Sequence, residues 1–68
     1  MKKSRFFTYK VPTDNRSFLE DRGVRNLAWG LDRSWGITFT KDDVRQIHKT
    51  MNGESVTIQG VIITRHND

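Results

Sequence analysis

The chain has no cysteine, a single proline and no apolar run of six residues. Without cysteine there is neither a disulfide framework nor a thiolate zinc site. Without a long apolar run there is no helical membrane span. A secretory leader is not expected either: Met1-Lys2-Lys3-Ser4-Arg5 is basic, but only Phe6-Phe7 follows where an apolar stretch should run. Apolar residues make up 34% of 68 positions, and a core that small rarely supplies more than about 3–5 kcal/mol of net stability. The expectation is one small cytoplasmic domain over residues 1–68, with 1–4 and 66–68 flexible. Its seven aromatic and thirteen Val, Ile and Leu side chains must supply the packing.

Catalytic constellations are also missing. His48 and His66 are eighteen residues apart, and no Ser-His-Asp set, Gly-rich phosphate loop or metal-ligand spacing accompanies them. Neither an enzyme nor a cofactor is therefore expected. His48 shares the apolar spacing of a helix and is expected to pack, and His66 lies in a polar tail.

What is present begins with charge. The net charge is +4, and residues 1–33 carry eight basic against four acidic groups while residues 34–68 carry four of each. Seven of the twelve basic residues are arginine, whose guanidinium can hold a phosphate or a guanine edge in bidentate fashion.

Patterning gives the elements. Phe7, Tyr9 and Val11 alternate with Phe6, Thr8 and Lys10, the period of a half-buried strand, with the second set expected outward. Pro12 then stops pairing, and Thr13-Asp14-Asn15 reads as a turn. Ser17 and Glu20 have capping-box spacing, with Asp21 a rival cap, although Gly23 interrupts any helix begun there. Val24, Leu27, Ala28 and Leu31 mark one face of a helix running to about Arg33. Trp29, beside Ala28, is expected in the core or at its boundary.

Thr40 is an N-cap, with Asp43 at the capping-box position. Val44, Ile47, His48 and Met51 repeat the helical spacing, and Asn52-Gly53 is a stop. Ser55 to Arg65 is largely β-branched, with Gln59-Gly60 as a hairpin turn or a bulge. The fold class is α+β: strand–helix–helix–strand, or a C-terminal hairpin, with two helices on a small antiparallel sheet.

Two short helices joined by a brief connector are compatible with a helix-turn-helix, whose second helix enters the DNA major groove. Lys41, Arg45 and Lys49 would line its outer face, with Gln46 beside Arg45, all residue types that reach phosphates and base edges. Asp42 and Asp43 at that helix start oppose the reading, because they would repel nearby phosphates.

Leu27-Ala28-x-x-Leu31, Gly36-Ile37, Met51-Asn52-Gly53 and Thr57-Ile58-Gln59-Gly60-Val61-Ile62-Ile63 resemble a known module. It is the small helix-turn-helix repeat appended to homing and phage nucleases, over about residues 24–65. The resemblance implies DNA binding without a catalytic domain, with Lys41, Arg45, Gln46 and Lys49 facing the groove and Arg22 and Arg25 touching backbone. The residues after Gly36-Ile37 and the acidic start of the second helix depart from that pattern. Nucleic acid, DNA before RNA, is thus the expected partner of a small regulator. Two alternatives stand beside it: a small phage-type protein that docks on a host protein, and a homodimer joined through strand edges. Phe6, Phe7 and Tyr9 among Lys2, Lys3, Arg5 and Lys10 could also form a stacking platform for single strands.

Overall fold

The computed structural model describes residues 3–67. Strands β1 (Phe7–Lys10) and β2 (Phe18–Glu20) come first, then helices α1 (Val24–Trp35) and α2 (Lys41–Lys49), then strands β3 (Ser55–Ile58) and β4 (Val61–Arg65). All pairings are antiparallel, and the sheet order is β2-β1-β4-β3. The fold is α+β, as the patterning implies, with one strand more than the first-half pattern suggests.

Strand alternation divides the sheet into two faces. Phe7, Ile63, Val61 and Ile58 are buried, and they meet Val24, Leu27 and Leu31 of α1 and Ile47 of α2. On the other face Phe6 and Lys10 are exposed and Thr8 is half-buried, the outward set expected from the pattern. At one end Tyr9, Phe18 and Trp35 cluster with ring centroids 4.9–5.8 Å apart, pinning the last residue of α1 to β1 and β2.

Turn chemistry closes the elements. Gln59 and Gly60 both have positive φ, 51° and 79°, so the β3–β4 connection is a two-residue hairpin turn of the primed type rather than a bulge. Gly60 is doubly constrained, because a Cβ there would stand 2.8 Å from Pro12 Cγ. Gly36 ends α1 in the left-handed conformation, and its amide donates to the Asp32 carbonyl at 3.0 Å.

Several expectations are corrected. Ser17 and Glu20 do not cap a helix; Phe18–Glu20 is a strand paired with Phe7–Tyr9, and Glu20 Oε2 accepts the Arg22 amide instead. Three residues are too few for alternation to show in the sequence. His48 and Met51 are exposed rather than inward. Helix α2 ends at Lys49 and Thr50 is extended, so Met51 lies beyond the helix whose face its spacing suggests. Trp29 is 60% exposed on the flank of α1, with the Arg33 guanidinium 5.1 Å from its ring centroid. At the chain ends, Ser4 is buried and its amide donates to Asn52 Oδ1. The His66 amide donates to the Phe6 carbonyl at 2.8 Å. The expectation of flexibility at Met1, Lys2 and Asp68 lies outside the described residues.

Candidate nucleic-acid interface

Helix α2 begins with a complete capping box: Thr40 Oγ1 accepts the Asp43 amide and the Asp43 carboxylate accepts the Thr40 amide. Asp43 Oδ2 also accepts from Gln59 Nε2 at 2.9 Å. The Thr40 amide first, and Gln59 next, hold the Asp43 carboxyl below its ordinary range. That carboxylate is therefore turned back toward the β3–β4 hairpin and engaged by donors. Asp42 stays exposed.

Lys41, Arg45, Gln46 and Lys49 are all exposed. A spacing of four residues places Lys41, Arg45 and Lys49 in one stripe along the helix. Arg45 Nη1 lies 3.4 Å from Asp42 Oδ1, but both side chains are mostly solvent-exposed, so the pair is worth little and dissociates readily. Lys41 and Lys49 enter no ion pair among the described residues. The expected four α2 residues are thus brought together on one accessible surface.

Arg22 and Arg25 are exposed at the start of α1. Arg22 precedes the first helical residue and Arg25 follows it. Arg22 lines a surface depression with Leu19 and Trp29. A separate cleft of about 230 Å³, whose lining includes neither arginine, is formed by Gly23 and Val24 from the start of α1, His48 from α2, and Lys3, Arg5 and Arg65 among others.

Arg65 is the residue that sequence reasoning missed. It is 4% exposed; Nη1 donates to the Ser4 carbonyl at 2.8 Å and Nη2 to the Ile47 carbonyl at 3.0 Å. Its guanidinium also lies 4.6 Å from the Phe7 ring centroid, a cation–π contact. Nε is buried without a hydrogen-bond partner, and burial pushes the group's pKa below its ordinary value. A signal was available: Val61, Ile63 and Arg65 share one face of β4, so the alternation that buries the first two also buries the third. Lys3 joins the same end of the molecule, donating from Nζ to the His48 carbonyl.

Among the described residues no cluster of His, Cys, Asp and Glu could hold a metal ion. None of their helices is long and apolar enough to cross a membrane. Compared with known protein families, curated proteins and solved structures, the chain finds no match.

Proposed function

We propose that this chain is a small nucleic-acid-binding regulatory module that lays the outer stripe of α2 against duplex DNA. The observation that carries the reading is the exposed line of Lys41, Arg45 and Lys49, with Gln46 beside it. The stripe keeps its charge available, because its one ion pair among the described residues is the loose one to Asp42. Engagement of Asp43 by Thr40 and Gln59 also lessens the objection raised by an acidic helix start. Lysine and arginine on such a stripe meet phosphates, and Arg45 and Gln46 carry the donors that suit base edges. The same stripe supports the helix-turn-helix likeness drawn from the residues.

Each phosphate neutralised on duplex DNA contributes about 0.9 to the log–log dependence of affinity on salt. Replacing Arg45 and Lys49 together by alanine is therefore expected to reduce that slope by about 2 and to weaken binding. Fluorescence anisotropy with a labelled duplex over a salt series measures both. Equal affinity and slope in the double variant would remove α2 from the interface.

A protein partner is the second reading, and a separate observation favours it. Trp29 and Leu19 are 60% and 67% exposed and line one surface depression with Arg22, and tryptophan and arginine are among the residue types that most often anchor protein interfaces. On that reading binding depends on Trp29 and is nearly insensitive to salt.

A further inference from the structure

Strand β2 closes one side of the sheet and has a free edge. The His66 amide donates to the Phe6 carbonyl, so Phe6 bonds toward β4. Backbone groups alternate sides along an antiparallel strand. Phe7 and Tyr9 therefore bond toward β2, where Glu20 and Phe18 stand opposite them. The N–H and C=O of Leu19 are left pointing away from β1, and no described residue bonds either group. An edge with such groups is a template for another extended chain.

Beside that edge, between β2 and α1, lies the depression lined by Leu19, Arg22 and Trp29, with a volume of about 250 Å³. Gly30 lines it too. Glycine weakens a helix interior relative to alanine, yet Gly30 has no positive φ, and a Cβ there would meet nothing within 4 Å. Neither the backbone conformation nor packing within the described chain calls for glycine at this place. Its bare backbone leaves room next to Trp29, whose side chain is 60% exposed and has the Arg33 guanidinium over its ring. The groove beside the other edge strand, β3, is lined by no exposed large hydrophobic residue.

Charge narrows the occupant. Two carboxylates, Glu20 and Asp21, line the depression against one cation, Arg22, on a chain whose net charge is +4. Asp21 is exposed and enters no ion pair among the described residues. This locally acidic spot suits a cationic side chain and opposes a phosphate backbone. A second copy would bring two chains of net charge +4 together over an edge of three residues, which favours a separate peptide.

We propose that β2 and α1 together bind an extended peptide of another protein, which adds to β2 as a fifth strand. It lays an apolar side chain against Trp29 and Gly30 and turns a lysine or arginine toward Asp21. The inference rests on the protein-partner reading and names the occupant of that surface. Main-chain bonds to Leu19 fix the peptide's register, and the side-chain places beside it supply specificity.

The test selects binders to the full chain from a phage-displayed library of random short peptides. The enriched peptides are then synthesised and followed by fluorescence anisotropy and amide hydrogen exchange. They should alternate apolar with basic residues, and Trp29→Ala should weaken them about tenfold or more. Binding should slow exchange of the Leu19 amide. Gly30→Leu should keep or raise the melting temperature, because leucine is the better helix former, yet weaken the same peptides by a similar factor. A Lys41→Ala, Lys49→Ala variant should bind them as the parent does. No enrichment would overturn the peptide site, and equal binding by Trp29→Ala would overturn both the site and the protein-partner reading. Trp29-dependent peptides that leave Leu19 exchange unchanged would overturn strand addition while retaining that reading. Concentration-dependent dimerisation that is lost in Trp29→Ala would overturn the proposed occupant in favour of a second copy.

Discussion

The two helices are held in place by opposite means. Helix α1 buries Val24, Leu27 and Leu31 and ends on Trp35 in an aromatic cluster, yet its start is uncapped. Helix α2 buries only Ile47 but is bonded at both ends. Its start has the Thr40–Asp43 capping box. At its finish the carbonyls of Gln46, Ile47 and His48 accept from Thr50 Oγ1, Arg65 Nη2 and Lys3 Nζ. A nine-residue helix is too short to persist alone in water. Where burial is thin, end groups take over, and this frees the remaining surface of α2 for its cations. Where burial is ample, as in α1, the helix stands without a side-chain cap at its start.

The most damaging change to this division of labour is Ile47→Ala. Removing a fully buried isoleucine costs about 2–5 kcal/mol, comparable with the whole stability of a domain this small. Ile47 is 0% exposed, and its carbonyl is also the one Arg65 holds. The expected outcome in urea denaturation is a chain largely unfolded at room temperature before urea is added. A variant retaining most of the parent's stability would mean that the end groups alone hold α2.

A milder change sharpens the same contrast. Thr40→Ala removes the side chain that accepts the Asp43 amide at 3.1 Å and should cost about 1 kcal/mol. The loss should be read as a lowered denaturant midpoint with an unchanged slope. No such residue exists at the start of α1 to remove, since Gly23 makes no side-chain cap.

Much of this architecture is legible in the residues. Thr40 and Asp43 announce one helix start, the Val24–Leu31 spacing reveals the other helix, and Gln59-Gly60 marks the turn between β-branched runs. What escapes is whatever depends on distant partners. Strand β2 is recognisable only through its pairing with β1, and without that partner Ser17 and Glu20 mimic a cap. The outward positions of His48, Met51 and Trp29 follow from where each helix ends and which flank its neighbours cover. The α2 stripe is local and so is visible as a spacing of four. The cleft gathers Lys3, Arg5, Gly23, Val24, His48 and Arg65 from both ends of the chain and both helices, a juxtaposition no local pattern encodes.

The smallest effect tests the capped helix start through pH. Asp43 has a folded pKa below its ordinary value, caused first by the Thr40 amide and then by Gln59. A carboxyl depressed in the folded state binds protons more readily when unfolded. Its contribution is therefore complete above the unfolded pKa of about 3.9 and lost as pH falls through the lower folded value. Asp14 behaves similarly, lowered to about 2 chiefly by its side-chain bond to Arg16, so the parent should lose stability through two groups. Asp43→Asn isolates one of them. The variant's melting temperature should lie below the parent's at about pH 6, and the gap should narrow as both are acidified toward about pH 2. Because the substituted amide cannot ionise, a gap of constant width would assign the effect to lost geometry rather than to the charge at the start of α2.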